Sequence, residues 1–297
     1  MKKALVTGAS GNIGKPLVRY LKEHDYVVRE VDIKPAWREN YYVADITKAA
    51  DLMEPFDFEP DVVFHLAAMV SRVTCEQSGS MCIDTNLYGT QNIIEFTKRC
   101  HAKLINFSTS EVYGPDIEVM DEDEKVQPNN RYGLSKLLAE QLVEYEVRHH
   151  NLNAVTIRPF MMYDENEDLG DHRSAMIRFA YNLYHGIPIE VHRGSARGWL
   201  HVSDAVRAIE ASTKVNTYEV INIGNPDIHS IEELAFMICE ELGADKSLIH
   251  YRDLPERMTL KKCPTLEKQK VLLGIEPTVK LKDGVRLVCE MIRKKCK

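Results

Sequence analysis

Tyr132 and Lys136 stand four residues apart in Tyr132-Gly133-Leu134-Ser135-Lys136, at the head of an amphipathic run that continues to His149. On a helix, positions i and i+4 share a face, so the phenol and the ammonium lie close together. A nearby positive charge favours the phenolate and pulls a phenol of ordinary pKa about 10 downward. Lowering it by about three units requires about 4 kcal/mol of differential stabilisation, which a lysine together with an oxidised nicotinamide would supply. Tyr132 would then be a general base for a sugar or alcohol hydroxyl. Alone, the short pentapeptide reads more simply as a half-exposed helical tyrosine beside a solvated lysine. The preceding chain decides between the two.

A base of this kind needs a sheet that carries a cofactor, and the N-terminal half reads as one. Lys3–Val6 is a short apolar strand running into Thr7-Gly8-Ala9-Ser10-Gly11-Asn12-Ile13-Gly14, followed by a helical pattern from Pro16 to His24. Strand, glycine turn and helix form the first βα unit of a dinucleotide-binding fold. The glycines permit a tight turn and close backbone approach, so a pyrophosphate can sit on the helix N-terminus and its orphan N–H groups. Tyr26–Asp32 is a second strand ending in an acid 18 residues after Gly14. A carboxylate there accepts hydrogen bonds from an adenosine ribose and repels the 2′-phosphate of NADP, so NAD is the expected cofactor, although Arg29 and Lys34 lie nearby. Asp45-Ile46 follows a third strand and either meets the adenine or caps the next segment.

Asp61–Ala68 is a fourth, nearly all-apolar strand whose small final residues leave room for a cofactor; His65 reads as a packed strand residue. An amphipathic helix over Asp84–Cys100 contains Asn86 and Gly89. The fifth strand, Lys103–Phe107, delivers Ser108-Thr109-Ser110-Glu111-Val112-Tyr113-Gly114. In an open parallel sheet ligands gather at the carboxyl ends of strands, so this hydroxyl-rich, acid-bearing turn is expected to face the cofactor. Asp121–Glu124 reads as a solvated acidic loop, and Ala154–Pro159 is a sixth strand.

Beyond it the alternation loosens. Helices are expected over Arg173–His185, from Asp204 to Ser212, over Ile231–Leu242 and over Lys282–Lys295, with strands at Ile187–Val191 and Tyr218–Ile223. The expected architecture is α/β: a Rossmann-type doubly wound parallel sheet over residues 1–161, with 199–224 returning to it. A smaller α+β substrate-binding region covers 162–198 and 225–297, and the cleft between the two parts is the default ligand site.

Composition sets broad limits. With 297 residues, 44% hydrophobic and 28% charged, the chain is an ordinary globular protein. A formal net charge of −7 argues against a nucleic-acid surface. Seven scattered cysteines without metal-ligand spacing read as reduced thiols, and no metal is expected. A strand beginning at Lys2 or Lys3 leaves no room for a signal peptide, and no apolar run reaches membrane-spanning length. The expected location is the cytoplasm, with no membrane partner.

Taken in order, these motifs resemble the extended short-chain dehydrogenase/reductases, specifically the nucleotide-sugar epimerases, dehydratases and decarboxylases, along nearly the whole chain. The carriers are Thr7–Gly14, Asp32, His65–Ala68, Ser108–Gly114, Tyr132 with Lys136, Arg158-Pro159, and Arg197-x-Trp199-x-His201-Val202-x-Asp204. The resemblance implies NAD held by Gly8, Ser10, Gly11, Asn12, Ile13, Gly14, Asp32, Asp45, Ile46, Leu66, Ala67, Ala68, Asn86, Ser108, Tyr132, Lys136 and Pro159. It implies that Tyr132 is the acid/base on the sugar C4 hydroxyl, that Lys136 holds the nicotinamide ribose and that Thr109 bonds the same hydroxyl. Arg197 would contact the diphosphate of a nucleotide-diphosphate sugar, and Arg173 its nucleotide end. A homodimer is expected on the same ground.

Within such a family Ser110 and Glu111 separate the reactions. Dehydratases usually carry Asp-Glu there; Ser-Glu looks more like the uronate decarboxylases, whose Arg before x-Pro is here Lys262. Lysine keeps the charge but loses the bidentate fork. Relatives continue their arginine strand as R-x-x-N-x-x-G-P, whereas this chain reads Arg158-Pro159-Phe160-Met161-Met162-Tyr163-Asp164-Glu165, and Met161 cannot donate the hydrogen bond of the family asparagine. The expected activity is therefore an NAD-dependent reaction through a transient 4-keto sugar. A dehydratase-type outcome, with Glu111 removing the C5 proton, is favoured, followed by 4-epimerisation and then decarboxylation. An NAD-sensing regulatory protein on the same fold is the non-enzymatic alternative.

Overall fold

The computed structural model describes residues 1–115, 117–170, 174–254 and 258–296. Its first half alternates strand and helix. The strands are β1 (Lys2–Thr7), β2 (Tyr26–Asp32), β3 (Tyr41–Val43), β4 (Val62–His65), β5 (Lys103–Phe107) and β6 (Ala154–Pro159). Among them run α1 (Gly14–Glu23), α2 (Met53–Phe56), α3 (Arg72–Gln77), α4 (Gly79–Ile83), α5 (Gly89–Arg99) and α6 (Arg131–His150). The later chain adds β7 (Met162–Tyr163), α7 (Ala175–Tyr184), β8 (Ile189–His192), β9 (Ala196–Gly198), β10 (Leu200–His201) and α8 (Val202–Ala211). It ends with β11 (Val220–Ile223), β12 (Ile228–Ser230), α9 (Ile231–Leu242), β13 (Ile249–Arg252), β14 (Lys261–Lys262), α10 (Glu267–Leu273) and α11 (Leu281–Lys295).

Seven strands form one sheet in the order β11-β6-β5-β4-β1-β2-β3, and every pairing in it is parallel. The doubly wound arrangement expected from the sequence is the one that forms. The chain starts in the middle, winds outward through β2 and β3, then crosses to β4 and out to β11. The winding reverses between β1 and β4, where ligand crevices open at the carboxyl ends of such sheets. Leu17, Phe64, Ile157 and Ile209 belong to a core on one face of the sheet; Leu5, Val63, Ile94 and Val143 belong to a second on the other. The later chain has a separate core in which Trp199 packs with α7, α9 and α11. A small three-stranded sheet, β12-β9-β14, joins segments far apart in sequence.

Two local expectations are corrected. The continuous helix over 84–100 is broken: α4 passes through a π-helical turn at Asp84–Tyr88 before α5 begins, a feature that shifts the helical face by one residue. The acidic run is not simply solvated. Glu122 Oε1 accepts the Asn222 N–H of β11 at 2.8 Å, and Thr265 Oγ1 donates to Asp121 Oδ2 at 2.8 Å, because the run crosses the end of the sheet.

Gly284 lets α11 approach β7. A Cβ there would overlap the Tyr163 ring and hydroxyl, and Tyr163 is buried. Helix propensity alone favours alanine over glycine by about 1 kcal/mol, but overpacking a filled core costs about 1–3 kcal/mol. Gly284→Ala is expected to lower the thermal midpoint in calorimetry; a raised midpoint would show that propensity prevails.

Candidate active site

The glycine turn is shaped by contact with its neighbours. Gly8 has φ +70°, and a Cβ there would lie 2.8 Å from the Ala67 nitrogen; only glycine occupies that position without strain. The side chain of Ile13, which precedes α1, makes no capping bond; the Lys15 N–H donates to Gly11 O at 3.1 Å and Pro16 carries no N–H, so it is the Gly14 end of the turn that faces an anion. Thr7 ties the turn to β4: its Oγ1 accepts the Ala67 N–H at 3.1 Å and meets His65 Nδ1 at 2.9 Å. His65 Nε2 lies 3.0 Å from Thr90 Oγ1, and burial pushes this imidazole down to about 3. It is a satisfied core histidine.

Asp32 Oδ2 accepts the Ser10 N–H at 2.9 Å and Oδ1 the Lys34 N–H at 3.0 Å, which fixes the carboxylate at the end of β2. Of the nearby cations, Arg29 turns away toward the Glu54 and Pro55 carbonyls. Arg38 instead donates to Ser10 Oγ at 3.1 Å. Asp45 spends its carboxylate on Thr47 N and Oγ1 at 3.0 and 2.8 Å, capping its own turn. Ile46 is a core side chain that a Cβ on Gly89 would strike. Asn86 is fully buried: Oδ1 accepts the Met69 N–H at 2.7 Å, and Nδ2 donates to Met69 O at 3.0 Å and Ser135 Oγ at 2.9 Å. It therefore braces the segment after β4 against α6. Leu66, Ala67 and Ala68 stay partly accessible, as does Pro159. Ser108 Oγ is buried without a partner, as a group waiting for a ligand would be. With the uncapped helix, the collar of small residues and Asp32, this orphan makes the cleft fit NAD.

The Tyr132 end is assembled from β5 and α6. Asn130 caps α6 by accepting the Gly133 N–H at 2.9 Å, and its Nδ2 donates to Glu111 Oε2 at 3.0 Å. Tyr132, Lys136 and Glu140 come next at i, i+4 and i+8 on the sheet-facing side. Arg158 of β6 grips Glu140 with two bonds, Nε–Oε1 at 3.0 Å and Nη2–Oε2 at 2.8 Å. Tyr132 shares a hydrogen bond with Thr109, and Thr109 Oγ1 accepts the Glu111 N–H at 3.2 Å.

The electrostatics differ from the sequence expectation in one respect. Burial raises the Tyr132 phenol above its ordinary value, and the Thr109 bond offsets only part of that. Lys136 is buried and pushed down to about 8, with Glu140 as the main opposing influence. Without the positive charge of an oxidised nicotinamide, desolvation dominates both groups.

The Thr109 turn also holds a salt-bridge cluster. Lys262 Nζ donates to Ser110 Oγ at 3.2 Å and forms a close ion pair with Glu111 Oε1. Arg72 Nε lies 3.7 Å from Glu111 Oε2. Burial alone would raise the Glu111 carboxyl, but Lys262, Arg72 and Asn130 outweigh it and hold the group below the usual carboxylate value. Arg197 lies beside Lys262 as its register partner across β9 and β14. Its guanidinium donates to the carbonyls of Ala196 and Leu260, both at 2.7 Å, and Thr259, at 2.6 Å. Arg173 lies outside the described residues. Asn130 and Arg72 were not singled out in the sequence. An N-cap asparagine two residues before Tyr132 was a readable signal for the first; the second comes after a strand end without any motif. Among the described residues no cluster of His, Cys, Asp and Glu could hold a metal, and no helix is long and apolar enough to cross a membrane.

The model of the NAD dependent epimerase/dehydratase family matches residues 4–224. The chain belongs to this family. Members similar to it include UDP-glucuronic acid decarboxylase 1 of Danio rerio, 29% identical over 96% of this chain and 71% of that protein. Among solved structures, the UDP-glucose 4-epimerase of Thermotoga maritima, with UDP-glucose, superposes with a TM-score of 0.93 at 27% identity, covering 99% and 100% of the two chains. MoeE5, solved with NAD and UDP-glucuronic acid, gives 0.88 at 25% identity over 99% of each chain. The protein is thus an NAD-dependent enzyme of the nucleotide-sugar epimerase, dehydratase and decarboxylase group.

Relieving the buried lysine has a calculable effect. Lys136 titrates near 10.5 when solvated and near 8 here, so below about pH 8 its charge costs the folded state about 3 kcal/mol. The cost fades as pH rises from about 8 to 10.5, because over that window the folded lysine has already given up its proton while the unfolded chain still holds one. Lys136→Met is expected to raise the thermal midpoint of the cofactor-free protein by several degrees at pH 7, less at pH 10, while cutting turnover at least about a hundred-fold. An unchanged midpoint at pH 7 would contradict this account.

Proposed function

We propose that the enzyme oxidises the C4 hydroxyl of a nucleotide-diphosphate sugar and that its preferred substrate carries a carboxylate at C6, which is lost from the 4-keto intermediate as CO2. The observation that carries this reading is Lys262, a buried ammonium shared by Ser110 Oγ and Glu111 beside Thr109 and Tyr132. NAD, when bound, would supply the hydride acceptor and donor for C4. Tyr132 takes the O4 proton, and Thr109, hydrogen-bonded to it, fixes the hydroxyl. Oxidation makes the uronate a β-keto acid, so the C5–C6 bond breaks with its electron pair passing into the C4 enolate. The Tyr132 O–H then stabilises the developing oxyanion, and C5 takes a proton from solvent. Lys262 holds the departing carboxylate in line. Arg197 braces β9 against the Thr259–Leu260 carbonyls and so sets where Lys262 stands.

The dehydratase-type outcome favoured from the sequence retains one supporting observation: Glu111 is held ionised, as a base for the C5 proton must be. It lacks an acid for the departing 6-hydroxyl, since the residue beside Glu111 is Ser110. Simple 4-epimerisation needs neither Glu111 nor Lys262. The decisive assay is mass spectrometry of products from UDP-glucuronic acid and UDP-glucose in deuterated buffer. Loss of CO2 with one deuterium retained at C5 is expected, and Glu111→Gln should lower that turnover at least about ten-fold. Conversion of UDP-glucose to its epimer without deuterium, and no turnover of the uronate, would sink the reading.

We also infer a homodimer. Leu134, Leu138 and Tyr145 lie along one stripe of α6, and Leu134 and Tyr145 are 44% and 53% exposed. An apolar stripe of this kind on a long helix fits a twofold helix pair. Light scattering at micromolar concentration should give twice the chain mass, and Tyr145→Glu should shift it toward the monomer.

A further inference from the structure

We propose that Arg38 sets the enzyme's choice between NAD and its 2′-phosphorylated form, by placing a cation beside Asp32 at the adenosine end of the cofactor cleft. The choice is independent of which sugar is bound. The two charges meet on one residue of the glycine turn. Arg38 Nη2 donates to Ser10 Oγ at 3.1 Å, while the Ser10 N–H donates to Asp32 Oδ2 at 2.9 Å. A carboxylate in this place favours a free ribose 2′-hydroxyl, and an arginine nearby favours a 2′-phosphate. Both are present here, so discrimination is a balance of two groups and not a property of Asp32 alone.

Arg38 is held in place without being used up. Its guanidinium lies over the Tyr41 ring, 4.6 Å from the centroid, and the Tyr41 hydroxyl is 3.0 Å from Ser10 Oγ. Tyr41 also donates to the Lys34 carbonyl, and the Lys34 N–H donates to Asp32 Oδ1 at 3.0 Å. These five residues form one connected network around the end of β2. Within it only Nη2 of Arg38 is engaged; Nε and Nη1 make no hydrogen bond among the described residues. The side chain is 38% exposed, and with Tyr41 it borders an open concavity of about 500 Å³. Those two nitrogens can therefore donate to an anion, and the planar fork suits a phosphate.

The carboxylate paired with Arg38 does not cancel it. Glu30 is buried, and its Oε1 accepts a hydrogen bond from Lys22 Nζ at 2.7 Å. Arg38 Nη2 lies 2.9 Å from Oε2, yet that oxygen receives no hydrogen bond, so the contact is electrostatic and off the N–H direction. Lys22 would keep Glu30 paired if the guanidinium turned toward a ligand. The other cations near the end of β2 are differently placed. Arg29 donates to the Glu54 and Pro55 carbonyls, and Lys34 touches Asp32 through its backbone N–H.

The test titrates the full chain, freed of bound nucleotide, with NAD and with NADP by calorimetry. Wild type is compared with Arg38→Gln, Arg38→Lys, Lys34→Gln and Asp32→Asn. The quantity read is the ratio of the two dissociation constants, which a general loosening of the turn would not move. Arg38→Gln is expected to weaken NADP at least about ten-fold more than NAD, the size of one charge-assisted hydrogen bond. Arg38→Lys should recover part of that loss, and Lys34→Gln should leave the ratio near that of wild type. Asp32→Asn should shift the ratio toward NADP, and adding Arg38→Gln to it should undo most of the shift. Where wild-type binding of NADP is too weak to titrate, Arg38→Gln is judged in the Asp32→Asn background. An unchanged ratio in Arg38→Gln, with both cofactors weakened alike or neither, would overturn the proposal and leave Arg38 a brace for Ser10. A shift produced by Lys34→Gln in its place, or no binding of NADP by Asp32→Asn, would overturn it too.

Discussion

The fork between Arg158 and Glu140 holds the rest in place. Both side chains are buried, at 6% and 5% exposure, and taking two charges out of water costs several kcal/mol per ion before their attraction repays it. The repayment here is geometric: two parallel bonds to Glu140 and a third from Nη1 to the Tyr113 hydroxyl at 3.0 Å. Tyr113 passes the constraint on to Asn222 of β11 at 2.8 Å. One guanidinium therefore fixes the rotation of α6, the turn after β5 and the edge of the sheet together. Because Lys136 and Tyr132 lie one and two turns back from Glu140 on the same face, rotation of α6 about its axis would carry all three out of alignment.

On that frame sit two chemically distinct parts. The oxidising part, from the glycine turn to Tyr132, belongs wholly to the seven-stranded sheet and its helices. The part proposed to decide the fate of the oxidised sugar is borrowed: Glu111 comes from the turn after β5, but its ion partners come from α3 and from β14. Asn130 bridges the two, capping the helix that bears Tyr132 with one end of its amide and holding Glu111 with the other.

The sequence announces the first part because its signals are local. A glycine turn between a strand and a helix, an acid ending the next strand and a tyrosine four residues before a lysine are each written within one element. The Lys262–Glu111 pair is not, since 151 residues separate the partners and a two-residue strand delivers the lysine. Lys262 was visible only through its place before Cys263-Pro264, and Arg72 through nothing. Local reading also leaves the partners of other side chains unspecified. Asn86 braces Met69 and Ser135, Asp45 takes the capping one of its two readings, and Glu122 is drawn out of solvent by Asn222. The phenol of Tyr132 obeys the same rule: the neighbouring lysine was legible, the desolvation around both was not.

Lys262 stands where it does because β14 is held on both flanks. Arg197 draws in the Thr259 and Leu260 carbonyls ahead of it, and behind it Met120 donates its N–H to Cys263 O at 2.8 Å and accepts the Thr265 N–H at 3.0 Å. The strand is Lys261–Lys262, and side chains alternate faces along a strand. A slip of one residue would present Lys261 or Cys263 to Glu111, giving either the same charge at a different reach or no charge at all. On the function proposed above, alignment of a two-residue ribbon, rather than the identity of any catalytic group, is then the dial on which a lineage would change products while leaving its redox chemistry intact.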